Sequence, residues 1–279
     1  MLALFPAPPF QNLGPIHMYG LCIALGVYVA YLVAERRWRN RGHDPADITA
    51  LVIPVVISGV FGARVYHLFT GYDWAKNGIA GTVAIWNGGL SIWGAVIFGG
   101  VAAVIVAWRR HLPIVELLDC LSIAVVLAQA IGRWGNYFNQ ELFGRPTSLP
   151  WGLVVDPAFR PPQFATDRTF HPTFLYESLW CVGIFLVLNW AEKHFGDRWR
   201  VGWTVCGYAA LYTLGRSYFE WLRIDKARTA VGTSFNFWFS VALCFAALAT
   251  IVVIGLRGRR YPGPPAAPLA AVAPPEDSA

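Results

Sequence analysis

The chain has 279 residues, 56% of them hydrophobic and only 14% charged, with 13 Trp and a mean hydropathy of +0.46. Soluble domains average roughly 25% charged residues, so this balance excludes an ordinary soluble domain and favours a membrane protein. The net charge of +6 does not point to nucleic acid, because the basic residues lie between apolar runs and not on one polar face.

The N-terminal stretch "MLALFPAPPFQNLGPIHMYG" has no early basic residue and three prolines before position 10. It does not read as a cleaved signal peptide. Crossing a bilayer takes about 20 apolar residues, and seven segments qualify, roughly 17–34, 47–69, 90–108, 114–133, 173–191, 202–221 and 234–256. The fourth is the weakest, since Glu116, Asp119, Gln129 and Arg133 interrupt it. Basic clusters follow the odd-numbered spans ("ERRWRNRGH", "WRRH", "EKHFGDRWR" and "RGRR"), whereas the even-numbered connections are poorer in positive charge for their length. Basic connections face the cytoplasm. The expected fold is therefore an all-α polytopic membrane protein with seven transmembrane helices, its N-terminus outside and its C-terminus cytoplasmic. Residues 1–256 form one transmembrane unit, and the Pro/Ala-rich 257–279 reads as a disordered cytoplasmic tail. The five cysteines (Cys22, Cys120, Cys181, Cys206 and Cys244) lie in apolar stretches without metal-type spacing and read as buried small hydrophobes.

Charged groups at the centre of a span cost about 2.5–3.5 kcal/mol each on insertion scales, so those that remain must pair, line water or bind a ligand. Arg64, Glu116, Asp119 and Glu177 are such groups, and two richer clusters accompany them. In "GRWGNYFNQELFGRPT" (132–147), Arg133, Asn136, Asn139 and Glu141 follow directly on the fourth apolar run. Gly132, Gly135 and Gly144 predict an ordered loop there, not a continuing helix. In "GRSYFEWLR", Arg216 and Glu220 are four apart and share a helix face, with Arg223 placed one turn beyond. Both clusters fall at the outer ends of their spans. One reading is structural ion pairs that hold helices together. The other is a phospholipid headgroup site, because guanidinium forks grip phosphate oxygens in bidentate fashion while Asn136, Asn139 and Glu141 take hydroxyls.

The glycines of "WNGGLSIWGAVIFGG" (86–100) fit close helix packing, or a turn at Asn87–Gly89 that lines the same cavity. Tyr19, in "HMYG", fits either an interfacial anchor or a lipid contact. The sequence has no H-E-x-x-H, no G-x-S-x-G and no Walker-type loop, which leaves zinc proteases, serine hydrolases and nucleotide-driven pumps without their parts. No metal ligand set is found.

At these motifs the chain resembles the bacterial prolipoprotein diacylglyceryl transferases, from about residue 15 to about 256. "GRWGNYFNQELFG" fits the family pattern G-R-x-G-N-F-x-N-x-E-x-x-G, with Tyr137 where Phe is usual. "HPTFLYE", "GRSYFEWLR" and "HMYGLCIALG" match three further blocks. The resemblance implies transfer of the diacylglyceryl group of phosphatidylglycerol to the lipobox cysteine of a prolipoprotein at the bacterial cell membrane. A thioether forms and glycerol phosphate leaves. It also implies functional roles for Tyr19, Arg133, Asn136, Glu141, Arg216 and Glu220, with Asn139 and Arg223 beside them at the lipid. Many members carry a histidine in the third-span block, where this chain has Trp93 in "GGLSIWGAV". Tryptophan cannot act as a base, although some branches of the family share it. The candidate bases are then Glu141, Glu220 and His171, with Glu141 preferred. No cofactor is expected, since the donor is already activated as a phosphodiester. Phosphatidylglycerol, prolipoprotein signal peptides and the bilayer are the expected partners. A carrier or flippase for anionic lipids would also want two arginines at headgroup depth, but the paired repeats and broken helices of carriers are not found. A non-enzymatic scaffold would tolerate Lys at position 133.

Overall fold

The structure, a computed structural model, describes residues 5–14, 16–70, 78, 80–83, 89, 91–224 and 235–257. These contain seven long helices: α1 (Met18–Asn40), α2 (Ala46–Thr70), α3 (Ile92–Arg109), α4 (Ile114–Asn139), α5 (Thr173–Phe195), α6 (Trp203–Leu222) and α7 (Phe235–Arg257). The only strands among the described residues are two short antiparallel pairs, β1 (Asn12–Leu13) with β2 (Ile16–His17) and β3 (Leu153–Val154) with β4 (Thr169–Phe170). Trp93 falls in the first turn of α3, but its side chain, like Asn87, Gly88 and the tail from 258 onward, lies outside the described residues.

Each predicted span has a helix over it. Among the described residues five helices are long and apolar enough to cross a membrane, those of α1, α2, α4, α5 and α7. The described apolar part of α3, Gly94–Arg109, is shorter. Arg216, Ser217 and Glu220 dilute the C-terminal half of α6. Large apolar side chains stand exposed along the helices, including Ile57 at 65%, Val104 at 61% and Leu256 at 77%. So much contiguous apolar surface needs lipid around it. The architecture is that of an all-helical polytopic membrane protein.

α4 is the central helix and packs against α1, α5 and α6, while α2 pairs with α3 and α6 with α7. One core at the end where α1 finishes joins Ala34, Trp38, Ile48, Leu51, Ala107 and Leu117. A second fills the α4–α5 seam with Ile123, Val126, Ala130, Cys181, Ile184 and Leu188. Of the five cysteines, all free, Cys120 and Cys181 are buried as expected, but Cys22, Cys206 and Cys244 are only half-buried. A membrane helix has no water to hide a thiol from, so full burial is not required of it.

Glycine lets α2 and α3 approach closely. A Cβ on Gly94 would collide with the Gly62 carbonyl and one on Gly62 with Phe98, so the predicted packing role for the third-span glycines holds at Gly94. Gly94→Ala is expected to destabilise the protein by about 1–3 kcal/mol, read as a lower melting temperature in detergent. Gly100→Ala meets nothing within 4 Å and should be neutral or slightly stabilising.

Two polar networks mark the opposite ends of the α1, α4, α5 and α6 group. At the end where α1 finishes, Glu192 of α5 receives Arg37 at 2.5 Å and Arg41 at 3.2 Å, and the Thr204 hydroxyl also donates to it. Arg37 reaches Asn189 at 2.8 Å. Asp119, fully buried on α4, accepts the backbone N–H groups of Gly202 at 2.6 Å and Val205 at 2.8 Å. It caps α6 from another helix, satisfying donors that an α-helix leaves open at its start. Glu116 pairs with His43 at 3.1 Å. Arg64 is likewise structural, holding the carbonyls of Gly81, Thr82 and Gly89 at 2.5, 2.9 and 3.0 Å. These intramembrane charges are thereby explained without a ligand.

Candidate active site

The opposite end of the same four helices carries the other network. Position 133 does not begin a loop: α4 continues through Arg133 and Asn136 to Asn139, which corrects the turn expected from the glycines. Gly135 and Gly132 serve helix contact instead. A Cβ on Gly135 would lie 2.6 Å from the Tyr19 ring, and one on Gly132 3.4 Å from Ile23. The turn falls later and is made by side-chain-bearing residues, Gln140 (φ 50) and Leu142 (φ 58). Gln140 is held there by reciprocal bonds with Asp156, its Nε2 donating to Oδ2 at 2.6 Å and its Oε1 accepting the backbone N–H at 2.8 Å. Gly144 follows in close contact, since a Cβ would lie 2.8 Å from that of His171.

Four ionised side chains from three helices meet. Arg133 (α4) lies 2.7 Å from Glu177 (α5), and Arg216 (α6) lies 3.9 Å from the same Glu177 oxygen and 2.7 Å from Glu220. The i,i+4 pair read from "GRSYFEWLR" is therefore present. Glu177 is the most enclosed of the four, its side chain 6% exposed against 17% for Arg133 and 22% for Arg216. The two arginines and two glutamates balance, so the quartet carries no net charge. Arg133 also reaches the Tyr212 hydroxyl at 3.5 Å. A void of about 10 Å³ beside Glu177, Tyr212 and Arg216 has the volume of one water.

Sequence reasoning placed Glu177 among the intramembrane charges but outside the candidate site, yet it is the link between both arginines. Its signal was its place at the end of "HPTFLYE", the block beside the signature motif. Ion pairing between helices leaves no spacing pattern to find it by.

A second corner lies one turn further along α4. Glu141, exposed to solvent, accepts from Asn136 Nδ2 at 2.9 Å and Asn139 Nδ2 at 3.3 Å on the same oxygen. Its own N–H donates to the Asn136 carbonyl at 3.1 Å. The two asparagines expected at lipid hydroxyls thus position Glu141. Tyr19, on α1, lays its ring beside Gly135 of α4, between the positions of Arg133 and Glu141 in the chain.

Arg223 departs from expectation. α6 stops at Leu222, and Arg223 adopts extended backbone (φ −73, ψ 154) paired to Gly144, so it does not extend the Arg216 face. The carbonyls that would continue the helix are taken by the Arg145 chain, whose N–H donates to Leu222 at 3.2 Å and whose Nη2 donates to Trp221 at 3.2 Å. His171 lies at the approach to α5. Its Nδ1 is 3.2 Å from the Tyr176 hydroxyl, which accepts from Trp151 Nε1 at 2.9 Å. Burial lowers its pKa, which favours the neutral ring.

Residues 140–172 fold over this end as a compact cap. Phe143, Leu153, Val155, Phe170 and Phe174 form its core, with Phe5 packed against them. A cavity of about 280 Å³ opens in it, walled by Glu141, Leu142, Phe143, Phe159, Pro161 and Gln163 among others.

The sequence profile of a family described as prolipoprotein diacylglyceryl transferase matches residues 8–253. Phosphatidylglycerol–prolipoprotein diacylglyceryl transferase 2 of Streptomyces coelicolor is 44% identical over 94% of this chain and 83% of its own length. The phosphatidylglycerol–prolipoprotein diacylglyceryl transferase of Cutibacterium acnes is 39% identical over 92% and 87% of the two chains. That of Mycobacteroides abscessus is 38% identical over 94% and 81%.

Proposed function

The chain belongs to the prolipoprotein diacylglyceryl transferase family, and from that premise we propose that it moves the diacylglyceryl group of phosphatidylglycerol onto a prolipoprotein cysteine. The observation that carries this reading for the chain's own residues is the convergence of Arg133, Glu177, Arg216 and Glu220 at one end of the helix group. The thiolate sulfur attacks the glyceryl carbon bearing the phosphate ester. The S–C bond forms as the C–O bond breaks, and glycerol phosphate departs with the electron pair.

This chemistry needs two kinds of help. A thiol with a pKa near 8.5 is only a few per cent ionised at pH 7, and the leaving phosphate gathers negative charge as the bond breaks. Arg133 and Arg216 answer the second need, because their planar forks match phosphate oxygens and act where charge develops. In the resting site their charges are taken up by Glu177 and Glu220, so the headgroup enters by competing with a carboxylate for the same forks. Glu141 is the proposed acceptor of the thiol proton. It is exposed, held by two asparagine amides at one oxygen, and no described residue engages the other. Asn136, Asn139 and Tyr19 act as positioning residues around it, and Arg223 anchors the end of α6 to the cap.

The seven helices are proposed to span the bacterial cytoplasmic membrane with the N-terminus outside. Support comes from the basic connections, which follow the ends of α1, α3, α5 and α7, opposite the arginine quartet. That arrangement puts the quartet and cap near the outer leaflet. Relatives of this length bear transferase names, which disfavours the carrier reading. The test is to reconstitute the protein in phosphatidylglycerol vesicles with a lipobox peptide and look for the thioether product by mass. Product is expected; headgroup binding without product would favour a carrier. Glu141→Gln should lower transfer by about 10²–10⁴-fold if it is the base, and near-full activity would remove it from that role.

A further inference from the structure

The transfer reaction needs two substrates, but the arginine quartet accounts for only one. We propose that the cavity of about 280 Å³ in the 140–172 cap seats the acceptor polypeptide, holding the residues beside the reacting cysteine. This rests on the transferase reading. Among the described residues Glu141 is the one ionisable side chain in the cavity wall, and none of the described wall residues is an arginine or lysine. An anionic headgroup is disfavoured beside Glu141, whereas at the quartet Arg133 and Arg216 offer it guanidinium donors in exchange for their carboxylate partners, so the two sites differ in what they accept.

Small-molecule pockets run to about 300–1,000 Å³, so this one takes a short peptide stretch and not a pair of acyl chains. Leu142, Phe143, Phe159 and Pro161 offer apolar contact, and the exposed amide of Gln163 is placed to bond a peptide backbone. Phe159 is 41% exposed, as a residue at the mouth of a cavity should be.

Glu141 is shared, forming part of the cavity wall while bonded to Asn136 and Asn139. Arg133, on the same helix, lies one turn from Asn136. A peptide in the cavity therefore presents its cysteine at Glu141, with the quartet behind it and the lipid on the helix side. The thiol and the phosphate ester meet between the two corners.

Two measurements on the full chain in phosphatidylglycerol vesicles test this. A lipobox peptide with Ser in place of its cysteine, and benzoylphenylalanine beside it, is photolysed on the protein. Crosslinks to residues 140–143 or 159–163 are expected, and crosslinks confined to α3 or to residues 5–14 would overturn the proposal. The second measurement is kinetic. Phe159→Ala combined with Gln163→Ala is expected to raise KM for the peptide about tenfold, with KM for phosphatidylglycerol within about twofold. An unchanged peptide KM, or an equal rise for the lipid, also counts against the site. The outcomes separate the two ideas: crosslinking at the cavity without any thioether product sinks the reaction and leaves the seat. Thioether formation with crosslinks elsewhere sinks the seat alone.

Discussion

Arg133→Lys is expected to lower diacylglyceryl transfer by roughly 10²–10³-fold, about 3–4 kcal/mol of transition-state stabilisation. Lysine keeps the charge but loses the planar fork. Arg133 has two jobs that need it: it holds Glu177 at 2.7 Å and, by proposal, grips the departing phosphate. A point charge on a flexible stem cannot meet two oxygens at fixed geometry. The melting temperature should fall little, because the buried Glu177 keeps a cation nearby and Arg216 stands 3.9 Å away. Thioether formation in vesicles, beside a melting curve in detergent, separates the two effects. Full activity in the lysine variant would mean that the quartet is only structural.

Asp119→Ala should instead act on stability, by about 2–4 kcal/mol. Each buried donor left without a partner costs roughly 1–3 kcal/mol, and Asp119 serves two, Gly202 and Val205. Loss of its charge at the start of α6 also removes a favourable helix-dipole interaction of about 0.3–1 kcal/mol. Asp119→Asn keeps one acceptor oxygen and should fall between. Denaturant titration in detergent reads the order wild type, Asn, Ala; an Ala variant as stable as wild type would show that the cap is dispensable. Both variants lie at the opposite end of the helix group from the proposed site, so residual folded protein should turn over normally.

The helices were legible because apolar runs of sufficient length have few other uses, and each of the seven segments has its helix. The fourth was cut short at 133 although the helix runs to Asn139, because glycine was read as a turn former. In a bilayer-sized bundle the same residue is favoured where another helix leans in, as Tyr19 does on Gly135. The Arg216–Glu220 pair was visible in its spacing, which is local. Arg223 was misplaced because its backbone is captured by Gly144, 79 positions away in the chain. Nothing in a one-dimensional pattern reports such an end. Glu177 has no local signal for the same reason. The peptide cavity was invisible too, because it exists only once the cap has folded around its own aromatic core.

The two ends of the α1, α4, α5 and α6 group are fastened differently. At one end the fastening includes a backbone cap at Asp119 and a carboxylate, Glu192, that collects two arginines and a hydroxyl. At the other end, ion pairs through Glu177 tie the helices together, and these are the contacts a phosphate would exchange for its own. A phosphate that took up Arg133 and Arg216 would therefore replace ties at its own end of the helix group and leave those at the far end in place.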